Sequence, residues 1–157
     1  MFVQAERYFN EALSSFEKVN SIKQMGNSYN MLGIIKYRTG SYNESKKYIY
    51  SAKSKYEICS SMNNVLNCCI ADARVSMFQG DYDRSEKILS ETYREAGELN
   101  YRRVQALSAE FLGEVCFRRG KYLEAERWLT DALKLAKLTA PRGDVAAEVY
   151  RRLADVQ

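Results

Sequence analysis

The sequence predicts an all-α solenoid of antiparallel helix pairs with about eight helices, and three observations carry that prediction. A Gly-x-Tyr triplet recurs every forty residues, at Gly40, Gly80 and Gly120, and a fixed period of this length is typical of repeat proteins. Only one proline and eight glycines occur among the 157 residues, so few helix breakers are present. Apolar residues recur at spacings of three and four within each period, which favours amphipathic helices.

Two helices fit into each period, and the connections between them are short. Short connections between long helices make neighbouring helices antiparallel, and pairs stacked at a constant offset form a superhelix. The expected helices are 2–19, 21–39, 42–58, 62–79, 82–98, 102–119, 122–138 and 144–156. The expected division is a half repeat at 1–20, full repeats at 21–60, 61–100 and 101–140, and the first helix of a further repeat at 141–157.

Small residues recur at the same offset and predict close contacts between paired helices. Helices that approach closely need side chains without bulk at the contact. The three columns of small residues are Gly33, Ala73 and Gly113; Ser45, Ser85 and Ala125; and Ala52, Thr92 and Ala132. We therefore expect each second helix to pack tightly on the helix before it.

The turns of the repeat have their own residue pattern. The glycines at 40, 80 and 120 tolerate a left-handed backbone and predict the ends of the first helices. Ser41 and Asp81 follow them and are expected to cap the next helix, whereas Lys121 breaks that pattern. Tyr42, Tyr82 and Tyr122 then begin the second helices, where their rings are expected to fill the corner between paired helices.

These residues resemble the tetratricopeptide repeat family over essentially the whole chain. The segments that carry the resemblance are Leu32-Gly33…Gly40-Ser41-Tyr42…Ser45…Ala52, the better-matching Leu112-Gly113…Gly120-Lys121-Tyr122…Ala125…Ala132, and the degenerate Asp72-Ala73…Gly80-Asp81-Tyr82…Ser85…Thr92. The resemblance implies a right-handed superhelix whose first helices line a concave groove. The family's usual period is thirty-four residues, so each helix here is expected to be about three residues longer, nearly one turn.

Composition argues against catalysis and against a cofactor or metal. No histidine occurs, which removes the commonest general base and metal ligand. Neither phosphate-binding glycine motif is present, and the four cysteines show no CxxC spacing. That cysteine pattern favours a reducing, cytoplasmic compartment, and no long apolar stretch predicts a membrane span.

The arginine pairs 102–103, 118–119 and 151–152 raise nucleic-acid binding as an alternative. Adjacent residues on a helix point in different directions, acidic residues lie among them, and the net charge is only +4. We therefore expect no direct contact with nucleic acid.

The resemblance implies that a protein or peptide partner binds in the concave groove. The expected contact residues are Asn27, Asn30, Ile34, Arg38, Asn67, Ile70, Arg74, Phe78, Glu110, Glu114 and Arg118. Ile34, Ile70 and Phe78 are expected to face the open groove, unless a neighbouring helix or domain covers them.

The charges along this groove predict a partner whose charge changes from acidic at one end to basic at the other. The lysine and asparagine set with which chaperone-binding members of the family hold a terminal carboxylate is not found at the corresponding positions. Arg38 and Arg74 would pair with an acidic side chain, while Glu110 and Glu114 would favour a basic stretch at the other end.

The ends of the sequence suggest a piece of a larger protein. The first helix carries Phe2, Val3, Phe9, Leu13 and Phe16, more apolar surface than one neighbour covers, and solenoids ordinarily finish with polar caps. We expect self-association through an uncapped end.

A second interpretation of the function comes from the segment around Leu112-Gly113-Glu114-Val115 and Gly120-Lys121-Tyr122, which is similar to repeats in large bacterial transcription regulators. The chain would then be a sensory or regulatory arm of such a protein. An interaction scaffold without chemistry of its own is the first interpretation, and an enzyme or nucleic-acid binder is the third.

Overall fold

The computed structural model describes residues 1–140 and 143–156, and this part of the chain contains eight helices and no strand. The helices are α1 (Phe2–Lys18), α2 (Ile22–Arg38), α3 (Tyr42–Ile58), α4 (Met62–Phe78), α5 (Tyr82–Glu98), α6 (Arg102–Arg118), α7 (Tyr122–Thr139) and α8 (Asp144–Val156). The predicted all-α class is confirmed, and every helix end lies within one residue of its expected position. Pro141, Arg142 and Gln157 lie outside the described residues, and with them the expected start and end of the last half repeat.

The chain divides into two compact units, Met1–Val75 and Ser76–Gln157. In the first unit, α2 packs against both α1 and α3. In the second, α6 packs against α5 and α7, and α8 packs against α7 and α6. Within each unit these helices therefore pack on their neighbours in sequence, as expected for short connections.

The turns recur every twenty residues, not only every forty. Gly40, Gly80 and Gly120 have φ values of 78°, 82° and 74°, which confirms the left-handed turns expected of them. Left-handed residues also stand midway between these glycines, and the sequence analysis missed them. They are Asn20 (φ 52°), Ser60 (φ 54°) and Asn100 (φ 60°).

All six turns close with the same hydrogen bond. The N–H of the residue after each left-handed position bonds the carbonyl five residues earlier, as Ser41 does with Lys36 at 2.9 Å and Ser61 with Tyr56 at 2.9 Å. This is the Schellman arrangement, which satisfies carbonyl groups that the helix end leaves open. Helices α1 to α6, each of which ends in one of these six turns, all have 17 residues.

The expected caps are confirmed at one position and wrong at another. The Asp81 carboxylate accepts the backbone N–H of Arg84 at 3.2 Å, whereas Ser41 makes no side-chain cap bond to α3. The Ser41 backbone has the same general conformation as Asp81. The Asp81 carboxylate is also the stronger acceptor at a helix start, because its negative charge is stabilised by the positive end of the helix dipole.

The columns of small residues lie where paired helices touch. Ser45 is fully buried and its hydroxyl donates to the carbonyl of Gly33 at 2.7 Å. A Cβ on Gly33 would stand 3.1 Å from Ile49, and one on Gly113 would stand 2.7 Å from Leu129. Small residues are thus favoured at these contacts because the helices approach each other closely.

Each unit has its own apolar core. In the first unit the core joins α3 and α4 and consists of Ile49, Ala52, Tyr56, Val65, Cys68 and Val75. In the second it joins α6, α7 and α8 and consists of Ala106, Ala109, Leu129, Ala132, Ala136, Val145, Ala146 and Val149. Burial of this kind is the dominant favourable term in folding.

The first helix is the least buried of the eight described helices, since α1 contains no buried residue. Phe2 and Val3 are 38% and 80% exposed. The ammonium group of Lys36 ties α1 to α2 and α3 by ion pairs with Glu6 at 2.8 Å and Glu44 at 2.9 Å. Self-association through this helix stays a prediction.

Candidate functional site

A cavity of about 180 Å³ in the first unit brings together three of the predicted contact residues. Ile34, Arg38 and Arg74 all line it, and Tyr37, Ala71 and Val75 supply further apolar wall. Gly33 and Ser45 form its floor, where α2 and α3 are in close contact. The cavity therefore combines an apolar recess with two guanidinium groups.

Two guanidinium groups, those of Arg38 and Arg74, line this cavity. The Arg74 guanidinium lies 5.2 Å from the centre of the Tyr37 ring, a distance at which a cation is attracted to an aromatic face. Arg38 is exposed and forms no ion pair with any described residue. Helix α2 carries no carboxylate, and the one on α4, Asp72, is buried and accepts the Tyr50 hydroxyl at 3.3 Å.

The equivalent positions of the second unit hold an ion-pair network instead. Arg152 on α8 lies against α6, with Nε 3.0 Å from Glu110 Oε1 and Nη1 2.6 Å from Glu114 Oε2. Its Nη2 is 3.3 Å from Glu148 of its own helix, and its guanidinium lies 5.6 Å from the Phe111 ring. A buried carboxylate needs such a partner, because desolvation without one is expensive.

A second arginine completes this network. Arg118 donates from Nε and Nη2 to Glu114 at 3.0 and 2.8 Å. Its guanidinium also lies 4.7 Å from the centre of the Phe78 ring. Glu114 is therefore held by two arginines, and Phe78 is covered on one face by Arg118.

Several of the expected groove contacts need correction. Ile70 does not face the groove, because it is only 4% exposed, and Glu110 is 2% exposed. Both side chains are covered by their own chain. The expected affinity of Glu110 and Glu114 for a basic partner is not supported either, since Arg152 and Arg118 already neutralise these carboxylates.

The asparagines of the predicted groove differ in their surroundings. Asn27 is exposed and its side-chain oxygen accepts the Tyr56 hydroxyl at 2.8 Å. Asn67 donates to the backbone carbonyl of Asn63 at 2.9 Å, and Asn30 is half-buried. None of the three lines the cavity of Ile34 and Arg74.

A further cavity, of about 420 Å³, lies between α5 and α7 in the second unit, and the sequence analysis did not identify it. Tyr93, Glu124, Arg127, Trp128 and Asp131 line it. The chain's single tryptophan was the one sequence signal that could have drawn attention to this surface, since buried aromatic side chains are prominent in binding sites.

Chemical groups for catalysis or metal binding are sparse. Among the described residues, no cluster of three or more histidine, cysteine or acidic residues is arranged to hold a metal. Burial raises the pKa of the Cys68 thiol to about 12 and also raises the pKa of Cys116. These two thiols are therefore protonated at neutral pH, whereas a nucleophilic cysteine must be a thiolate.

Ion pairs within the chain bear on the nucleic-acid alternative, and helix composition bears on a membrane span. Arg103 bonds Asp144, Arg119 bonds Asp83 and Glu86, and Arg151 bonds Glu148. These pairs reduce the charge available to a phosphate backbone. Within the described residues, no helix combines the length and the apolar character that a bilayer crossing requires.

Comparison with known proteins shows the fold and no family membership. No protein-family model matches the chain, and no curated protein matches it. Among solved structures, BtubC (BKLC) from P. vanneervenii is similar with a TM-score of 0.82 and 11% identity over 99% of this chain. Two structures of a putative kinesin light chain from Podosopora anserina, with nearly identical TPR-like repeats, have TM-scores of 0.64 (a point variant) and 0.62, both with 16% identity over 99% of this chain and 82% of theirs.

These similarities establish a helical repeat solenoid like that of the tetratricopeptide proteins. The chain spans 65% of the length of BtubC. At such low identity the likeness concerns the fold alone, because unrelated functions share folds.

Proposed function

We propose that the chain is a non-catalytic interaction module that binds a partner polypeptide through the cavity of α2, α3 and α4. The observation that carries this proposal is the pairing of an apolar recess, formed by Ile34 and Val75, with the guanidinium groups of Arg38 and Arg74. A segment that presents an acidic side chain next to an apolar one fits both features, because arginine binds carboxylates by paired hydrogen bonds.

The repeat fold supports a protein partner more than a small molecule. Helical repeats offer extended surfaces on which a peptide lies across successive helices. The cavity itself, at about 180 Å³, is smaller than the usual pocket for a drug-sized ligand. It fits one apolar side chain of a longer segment.

The test is a selection of binding peptides followed by a charge-reversal comparison. Peptides selected from a random display library on the wild-type chain are measured by fluorescence anisotropy against Arg38→Glu and Arg74→Glu. We expect an acidic residue in the selected peptides and a loss of about tenfold or more in affinity for each variant, the effect of losing a charge-assisted bond.

Lys47→Glu is the matched control, because Lys47 is an exposed residue of α3 outside the cavity. It makes the same change in net charge and should leave the affinity unchanged. Circular dichroism melts of all three variants confirm folding. Equal binding by wild type and both arginine variants removes this cavity from the proposed function.

The finer parts of the sequence interpretation stay proposals. A regulatory arm in a bacterial transcription regulator would use the same surface to contact a neighbouring domain, and the low net charge of +4 supports the absence of nucleic-acid binding. A cytoplasmic location is supported by the four free cysteines, since disulfides form in oxidising compartments.

A further inference from the structure

The cavity between α5 and α7 has a chemistry of its own, separate from the surface proposed to bind a peptide. The rings of Tyr93 and Trp128 stand nearly perpendicular, at 76°, with their centres 5.3 Å apart. Both side chains are half-buried, and their inner edges pack on the core of the second unit. The cavity of about 420 Å³ opens beside them.

A carboxylate without an ion-pair partner stands at these rings. Asp131 accepts the Tyr93 hydroxyl at 2.7 Å and forms no ion pair with any residue in the described part of the chain. Burial, and then the hydrogen bond to Asp131, raise the pKa of Tyr93 to about 12, so that the phenol stays a neutral donor. The negative charge of Asp131 is thus held in place at an aromatic wall.

The other two charged residues in the cavity lining, Glu124 and Arg127, carry opposite charges. Glu124, one of the lining carboxylates, lies 3.6 Å from Lys121. Arg127 is exposed on the same face of α7, within the lining. Counting only lining residues, Glu124 and Asp131 oppose Arg127, which leaves one net negative charge.

The repeat plan does not require this aromatic pair. Positions forty residues away in the same helices of the other repeats have other side chains: Lys53 and Leu133 are equivalent to Tyr93, and Tyr48 and Ile88 are equivalent to Trp128. Helix packing is therefore satisfied elsewhere by other combinations of side chains. The repeat plan therefore does not account for the perpendicular ring pair next to Asp131.

We propose that this cavity binds an alkylated ammonium group, which would lie against the faces of Trp128 and Tyr93 with its charge towards Asp131. Aromatic faces attract cations through their quadrupole, tryptophan most strongly, and quaternary ammonium groups are recognised by aromatic walls of this kind. An alkylated ammonium suits the site better than a bare one, because its methyl groups also bury apolar surface on the rings.

Trp128 is the chain's single tryptophan, so its fluorescence reports on this site alone. The wild-type chain is titrated with tetramethylammonium chloride at constant chloride concentration, with excitation selective for tryptophan. Saturation-transfer NMR on the methyl protons of the probe gives a second readout. We expect saturable binding in the millimolar range by both, and little response to 3,3-dimethyl-1-butanol, which has the shape of choline without its charge.

Three variants test the assigned roles. Asp131→Asn should weaken binding about fivefold, the effect of removing one charge at a partly solvated site. Tyr93→Leu should weaken it further by removing one aromatic wall, and Arg127→Gln should tighten it because a competing cation is lost. The control is Glu126→Gln, which removes a charge from an exposed position of α7 outside the cavity lining.

Two results would overturn the proposal. One is the absence of saturable binding in both readouts. The other is undiminished binding, either of the neutral isostere by the wild-type chain or of tetramethylammonium by Asp131→Asn. If the group binds, comparison of choline with an Nα-acetylated trimethyllysine amide distinguishes a small molecule from a modified side chain of a protein.

Discussion

The two units of this chain use one backbone plan but give equivalent positions opposite roles. Positions 34, 74 and 114 are related by the forty-residue period and hold Ile34, Arg74 and Glu114. In the first unit, Ile34 and Arg74 line a cavity next to the Tyr37 ring. In the second, Glu114 is bound by Arg152 and Arg118 from its own chain. The repeat fixes where side chains stand, and their chemistry decides what each position contacts.

The largest expected effect breaks the network of the second unit. Arg152→Met removes the guanidinium that neutralises Glu110, which is 2% exposed. Removing one partner of a buried ion pair costs about 3–5 kcal/mol of unfolding free energy. Arg74→Met in the first unit should cost about 1 kcal/mol, the scale of a cation–aromatic contact such as that with Tyr37. Urea unfolding followed by circular dichroism measures both.

The neighbouring Arg151→Met is the control for this prediction. Arg151 is exposed and its pairs with Glu148 and Asp155 lie on the surface of α8, so its loss should change stability by less than about 1 kcal/mol. If Arg152→Met proves no more damaging than Arg151→Met, the network does not hold α8 on α6, and the contrast between the two units loses its energetic basis.

A smaller effect is expected at the close contacts between paired helices. Gly113→Ala in the second unit would bring a Cβ to 2.7 Å from Leu129 Cγ, with the carbonyl of Ala125 at 3.3 Å. Overpacking of this kind costs about 1–3 kcal/mol, of which improved helix propensity returns about 1 kcal/mol. We therefore expect a net loss of up to about 2 kcal/mol in urea unfolding.

The equivalent change in the first unit sharpens the comparison. At Gly33 a Cβ would stand 3.1 Å from Ile49 Cγ1 and 3.5 Å from the nearest backbone atoms. The Ile49 side chain needs to shift by only a few tenths of an ångström, so Gly33→Ala should be nearly neutral. Equal destabilisation by both substitutions would show that the two helix pairs are packed alike.

The sequence predicted the helices well because the periodic glycines at 40, 80 and 120 mark turns that only a permissive backbone closes easily. It placed helix boundaries at 20, 60 and 100 but did not reveal the left-handed backbone of Asn20, Ser60 and Asn100, because serine and asparagine are common in many surroundings. A half-period of twenty residues is therefore visible in the backbone angles and hidden in the residue types.

The candidate site was predicted only in part, for a similar reason. Period mapping placed Ile34 and Arg74 in the same groove, and both line one cavity, since their placement depends on helix register alone. It failed for Ile70, whose burial depends on what packs over it. It also missed Arg152, which stands at a position that Leu32 and Leu112 fill as core residues. Its pairing with Glu110 depends on contact between residues distant in sequence.

The smallest expected effect concerns the turns that the two units share. Ser60 in the first unit and Asn100 in the second have φ values of 54° and 60°. A left-handed backbone costs most residues about 1–2 kcal/mol, whereas asparagine adopts it routinely. Because glycine loses about 0.5–1 kcal/mol of extra entropy on folding, Ser60→Gly should stabilise the chain by about 0.5 kcal/mol, whereas Asn100→Gly should lower its stability by about 0.5 kcal/mol. Thermal melts of both variants measure these changes in stability. A loss of stability in Ser60→Gly would mean that the serine side chain stabilises its turn by more than the backbone strain costs.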